Sequence, residues 1–171
     1  AKGVADMLGT SLTAVTVNAT DTAELGKYGV EKVLTVTNDK LNNFNAKAYA
    51  DVLKQAAAKE NSKVIVISSS ANAKFLAPIL AINLNAGYAS NVVALPESES
   101  PFKVKRTAFT NKAFNITEIS TDVKLVGLSK NAFENICIHP ASTIISGLYF
   151  CVILVNFSSY FSLDSFFSTV S

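Results

Sequence analysis

The run "KVIVIS", Lys63 to Ser68, narrows the fold more than any other stretch of the chain. Its apolar residues follow one another without alternation, so a strand built from it turns hydrophobic side chains to both faces of a sheet. Such a strand is central and needs covering layers on both sides, which excludes a sheet with one wet face. The flanking segments supply helices for those layers. "NAKAYADVLKQAAAKEN" places Ala46, Tyr49, Ala50, Leu53, Ala56 and Ala57 at helical spacing, with Lys47, Asp51, Lys54 and Lys59 largely outside that stripe. After Ser70 a second helix extends to about Ala86 and is apolar nearly all round, through Phe75, Leu76, Ile79, Leu80, Ile82 and Leu84. A helix so apolar lies deep in the fold or meets another protein. Pro78 belongs in its first turn or kinks it, and Gly87 is its expected stop.

Further elements continue the alternation. "AKGVADMLG" reads as a helix with Val4, Ala5 and Leu8 on one face and Gly9 at the left-handed position beyond its end. β-branched content marks strands at Ser11–Val17, Lys32–Val36 and Asn91–Leu95. Between the first two, "DTAE", Asp21 to Glu24, has the form of a capping box and starts a short helix that Gly29 ends. Strands alternating with helices at this spacing imply parallel pairing through crossovers, hence a doubly wound, mainly parallel α/β sheet. After Pro96 the helical period disappears. "FKVKRTAFTNKAFNITEISTDVKLVGLS" reads as an antiparallel hairpin turning at "TNK" and a returning strand, with a bulge or bend where the alternation slips between Ile116 and Ile119.

A chain of 171 residues with 49% apolar content supports one domain. Its net charge of +2 falls short of the concentrated basic face that a nucleic-acid partner requires. Two cysteines without regular Cys/His spacing give neither a disulfide framework nor a zinc pattern. The averages conceal a break near Glu134. All fifteen Lys and Arg lie at or before Lys130, whereas the remaining 41 residues hold two acids, no base, both cysteines, the only histidine and six of eleven phenylalanines.

Several constellations bear on function. "VIVISSSANAKFLAPILA" runs from strand through a small-residue loop into a helix, the arrangement that sets backbone N–H groups and a helix dipole against a phosphate. Ser69, Ser70 and Asn72 are the phosphate candidates, but neither G-x-x-x-x-G-K-[ST] nor G-x-G-x-x-G occurs among the glycines. The competing reading is that one of these side chains caps the helix, worth about 1 kcal/mol. Lys103, Lys105, Arg106 and Lys112 cluster beside Phe102 and Phe109, yet strand alternation sets Lys103 and Lys105 on one face and Arg106 on the other, which splits the patch. Cys137, His139 and Cys151 lack zinc spacing, and no third group orients a Cys137–His139 pair for nucleophilic catalysis. The densest apolar run, Ile144 to Phe157, is fourteen residues long, against the twenty or so of a membrane span.

In their order and spacing, "ELGKYGVEKVLTV", "SSSANAKFLAPILAINLNAGYASNVVAL", "VKRTAFTNKAF" and "VKLVGLSKNAF" resemble the amino-terminal domain of the electron-transfer flavoprotein alpha subunit, over about residues 1–133. The resemblance implies a three-layer fold of the adenine-nucleotide-hydrolase-like type with the hairpin as an inter-subunit arm. The family's first strand, upstream of the opening helix, has no counterpart here, nor does its carboxyl-terminal FAD domain. An apolar "LYFCVILV", Leu148 to Val155, is expected to fill the strand's gap, and residues 134–171 are expected to be an atypical, out-of-frame tail. The resemblance further implies an electron carrier, not an enzyme. Its partners would be a beta subunit and, indirectly, the acyl-CoA and other dehydrogenases of fatty-acid oxidation. FAD belongs to the full-length family, and no family FAD motif carries onto this chain, so none is expected on this stretch alone. The analogous serine loop is associated with the beta subunit's AMP. The compartment implied is the cytoplasm of a bacterium or the mitochondrial matrix of a eukaryote. The rival is a nucleotide-binding α/β module of universal-stress type using the loop after Ser68.

Overall fold

The computed structural model describes residues 1–19, 22–130, 132–133 and 151–156. Along them run α1 (Lys2–Met7), β1 (Ser11–Val17), β2 (Lys32–Val36), α2 (Ala46–Lys59), β3 (Ser62–Ser68), α3 (Ala71–Leu84), β4 (Gly87–Val92), β5 (Phe102–Ala108), β6 (Ala113–Ile119), β7 (Lys124–Leu128) and β8 (Cys151–Asn156). Short 3-10 helices lie at Ala23–Tyr28 and Asp39–Leu41.

All the described strands join one sheet in the order β2-β1-β8-β3-β7-β4-β5-β6. β2 and β1 pair in parallel, as do β3 with β7 and β7 with β4. β8 lies antiparallel to both β1 and β3, so those two run the same way and five strands share one direction. The expectation for the apolar segment near residue 150 therefore holds: Cys151–Asn156 occupies the slot between β1 and β3, with Ala14 and Val66 both opposite Ile153. The preceding residues of that segment, Leu148 to Phe150, lie outside the described residues.

The absence of alternation in β3 has the cause anticipated. Ile65 and Ile67 enter one layer and Val64 and Val66 the other, each at most 3% exposed. The first layer is closed by α2 and α3, through Tyr49, Ala50, Leu53, Leu76, Ala77 and Leu80. The second is closed by α1, where Val4 and Ala5 meet Leu12, Val126 and the inward residues of β4, β5 and β6. Alanines at 56, 57, 73, 77 and 81 are buried along the two larger helices, and small side chains there allow close packing. Asn45 starts α2 by accepting from the N–H groups of Lys47 and Ala48, at 3.1 and 3.3 Å. Tyr49 anchors it from below, its hydroxyl donating to the Leu41 carbonyl at 2.9 Å.

Three local expectations are corrected. Gly87 does not stop α3; Asn85 does, at φ 50, and Gly87 opens β4, so the strand expected at Asn91–Leu95 lies earlier, at Gly87–Val92. Asparagine tolerates the left-handed region well enough to replace glycine there. The β5–β6 ladder is unbroken from Phe102↔Ile119 to Ala108↔Ala113, and the irregularity sits instead between Ala89 and Val92 of β4. The short helix before Gly29 is a 3-10 helix whose N-cap, Thr22, makes no side-chain capping bond; Asp21 lies outside the described residues. Of the alternatives for α3, Pro78 lies in the interior and not in the first turn, and one face of the helix is in the core while Phe75 and Ile82 on the other are 68% and 80% exposed.

Two expected outcomes follow from this packing. Ile153→Pro removes a backbone donor from a strand paired on both sides, so urea unfolding followed by circular dichroism will show a loss of about 3 kcal/mol or more. An unchanged midpoint would mean that β8 does not bridge the sheet. Tyr49→Phe strands the buried Leu41 carbonyl and costs about 1–3 kcal/mol. Burial also pushes the Tyr49 phenol above its ordinary 10.0. A raised folded-state value means that this group's stabilisation is complete below the ordinary value and is lost as pH rises through the folded one. The gap in stability between parent and Tyr49→Phe will therefore narrow on the alkaline side of 10.0.

Candidate functional site at the carboxyl edge of the parallel strands

The five co-directional strands end on one edge, which is where doubly wound sheets take ligands. The serine loop stands there at the end of β3. Ser69 N–H donates to the Leu128 carbonyl at 2.9 Å, tying the loop to β7, and Ser70 N–H donates to the Ser68 carbonyl at 2.8 Å. Ser70 is the N-cap of α3: its Oγ accepts from Ala73 N–H at 3.2 Å. The capping alternative thus falls on Ser70, while Asn72 is exposed on the first turn.

Ser69 is oriented differently. Its Oγ is buried and has no hydrogen-bond partner among the described residues. It points toward Gly127 of β7, where an added Cβ would stand 3.4 Å from Ser69 Oγ and 3.1 Å from Tyr88 Oη. A glycine at 127 therefore gives these two hydroxyl-bearing side chains their room. Burial pushes the Tyr88 phenol up, with the nearby Arg106 charge acting the other way. The structure thus brings together Ser69, Gly127 and Tyr88, of which the sequence pointed only to Ser69. No local pattern announces the other two, because strands distant in sequence deliver them.

A second polar cluster closes the edge at β1 and β2. Asn18 (φ 50) donates through Nδ2 to the Asn38 carbonyl at 3.0 Å and to Asn42 Oδ1 at 2.7 Å. Its Oδ1 accepts from Asn38 N–H at 2.9 Å. Every arm of this amide is used within the fold, so the cluster is a clasp for the loop after β2. An asparagine directly following a strand was its available signal.

The basic hairpin is split as alternation required. Lys103 lies 3.7 Å from Glu118, and Lys105 Nζ stands 4.4 Å over the Phe114 ring, while Arg106 belongs to the other face of β5. Cys137 and His139 lie outside the described residues. Among the described residues no group of three or more His, Cys, Asp or Glu is placed to hold a metal, and no helix is long and apolar enough to cross a membrane.

A mainly parallel sheet covered on both faces, with a strand–loop–helix turn after its central strand and an antiparallel hairpin, defines a doubly wound α/β domain. The chain belongs to the electron transfer flavoprotein domain family, whose sequence model matches residues 1–144. It is similar to the electron transfer flavoprotein subunit alpha of Bacillus subtilis (strain 168), with 32% identity over 99 residues. That match takes in 58% of this chain and spans 30% of the relative's length.

The serine loop is open to a direct test of stability. Ser70→Ala will cost about 1 kcal/mol through the lost cap. Ser69→Ala will be neutral or slightly stabilising, because a buried hydroxyl without a partner is removed. Urea midpoints compare the two; an equal cost at both positions would show that the Ser69 hydroxyl is bonded.

Proposed function

We propose that this chain is an alpha-type electron transfer flavoprotein domain that pairs with a beta subunit. In this role it supports FAD-mediated electron transfer from acyl-CoA and other dehydrogenases to the respiratory chain. The observation that carries the reading is the family match over residues 1–144 together with an alpha-subunit relative. In this reading the chain divides after residue 133 into the family-type domain and an apolar segment that lends it β8.

The role is that of a scaffold. The serine loop does not fit a flavin: the Ser70 hydroxyl is committed to Ala73, the Ser69 hydroxyl is turned onto Gly127 and Tyr88, and the loop has no glycine to let backbone close on a pyrophosphate. When bound, FAD supplies the one- and two-electron chemistry; this stretch alone holds none. The outer face of α3 supports a protein partner, since Phe75 and Ile82 stand 68% and 80% exposed on a helix whose other side is in the core.

Co-expression with a tagged electron transfer flavoprotein beta subunit tests the reading. A stoichiometric complex is expected, weakened at least about tenfold by Ile82→Glu, a change of about 1.4 kcal/mol, with the unfolding midpoint of the free chain unchanged. Failure to form the complex would overturn it. Saturable binding of AMP or ATP, lost on altering Ser69 or Ser70, would then establish the nucleotide-binding module of universal-stress type instead.

A further inference from the structure

Among the bases of β5 and β6, Arg106 is the one that the fold leaves without a partner. Lys103 lies 3.7 Å from Glu118, and Lys105 Nζ stands over the Phe114 ring. Arg106 makes no hydrogen bond or ion pair among the described residues, and its Nε is buried with nothing to donate to. Glu97 and Glu99, in the loop that leads into β5, form no ion pair with it.

The register shows how this side chain is held. Arg106 stands opposite Val92 across the β4–β5 pair and opposite Asn115 across the β5–β6 pair. By alternation it shares a side of the sheet with Phe102 and Val104. Val92 and Val104 are at most 1% exposed, in the layer under α1. An arginine stem can lie along such apolar neighbours while its guanidinium reaches outward, and Arg106 is partly exposed. Its charge is felt by the Tyr88 phenol, whose hydroxyl stands beside Gly127 near the end of β7.

An Nε–H that has lost water and gained no acceptor is a net cost to the free fold. An acceptor from outside the chain would remove that cost. The planar fork of one guanidinium, carrying one positive charge, matches one carboxylate. A phosphate dianion calls for more positive charge, whereas the two lysines of β5 point to the opposite face.

We propose that Arg106 is the anchor for a carboxylate side chain of the partner subunit. The contact rests on the beta-subunit pairing proposed above and gives it an electrostatic anchor apart from the apolar face of α3.

The test is calorimetric titration of the full chain with an electron transfer flavoprotein beta subunit at low and high salt. Arg106→Met keeps the apolar stem and removes the charge. It will raise the dissociation constant at least about tenfold, which is about 1.4 kcal/mol, and weaken its dependence on salt. The urea midpoint of the free chain will stay the same or rise, because the orphaned Nε–H is gone. Arg106→Lys, which keeps the charge without the fork, will still bind more weakly than the parent. An unaltered dissociation constant in Arg106→Met, or a fall in free-chain stability that matches the loss of binding, would overturn the anchor while leaving the subunit pairing in place. A parent chain that does not bind at all would overturn the pairing, and the anchor with it.

Discussion

Continuity of the sheet passes through the backbone of six residues. β1 pairs with β2 and β8, and β3 pairs with β7 and β8, so the hydrogen-bonded connection between the two parts of the sheet is Cys151–Asn156. The inner edges of β1 and β3 lie between covered faces, where a backbone N–H or C=O without a partner has no water to turn to. An intervening strand satisfies both edges at once. It comes from more than twenty residues beyond Leu128, and the entropy of closing so long a loop grows only logarithmically with its length, whereas each ladder position adds a bond. The antiparallel direction is no obstacle, because β8 needs only to present alternating N–H and C=O groups to both neighbours.

The lateral placement of β1 and β3 then decides how the two cores are filled. With β8 between them, Val15 and Ile65 reach the layer under α2 and α3, while Leu12 and Val64 reach the layer under α1. Neither helical layer is independent of the sheet. The residues that α2 and α3 bury are largely alanines, which contribute little apolar area each but let the two helices lie close together over the isoleucines of β3. The long side chains of the layer, Leu53, Leu76, Leu80 and Leu125 beside Ile65 and Ile67, are fully or almost fully buried. What the fold secures is a slab with a polar clasp at the β2 corner of its carboxyl edge and a serine cap near the middle of that edge.

Much of this slab was legible in the order of residues. β1 and β2 coincide with the β-branched runs, β3 with the run that lacks alternation, and α2 with its apolar stripe, because in each case one local pattern matches one period. The misreadings have a common cause. Asn85 in place of Gly87, and Gly87–Val92 in place of Asn91–Leu95, are boundary choices made by long-range contacts: Gly87 N–H donates to Thr121 Oγ1 at 2.7 Å and to the Val123 carbonyl at 3.2 Å, which places it in the sheet. At the serine loop the cap was legible because capping is local. The meeting of Ser69, Gly127 and Tyr88 was not, since three elements supply them and none encodes the others.

The two ends of the sheet are unlike, and the difference bears on what such a domain is for. At the β2 end, Lys32 is bonded to Glu60, just after α2, at 2.7 Å and Glu31 stands beside it, so the edge is charged and engaged. At the β6 end the outward face is phenylalanine and isoleucine. Because Phe102, Val104 and Ile119 enter the layer shared with α1, alternation places Phe114 and Ile116 on the opposite side of the sheet, the side that α2 and α3 cover farther in. The exposed Phe75 and Ile82 of α3 therefore lie on the same side of the sheet as the bare face of the hairpin. Four of the exposed apolar side chains, Phe75, Ile82, Phe114 and Ile116, thus share one side of the sheet, while Met7 of α1 is exposed on the other and the clasped and charged corner is at the β2 end. The Ser70 hydroxyl is committed to its own helix, and Phe75 and Ile82 of α3 and Phe114 and Ile116 of β6 stay exposed away from the charged β2 edge.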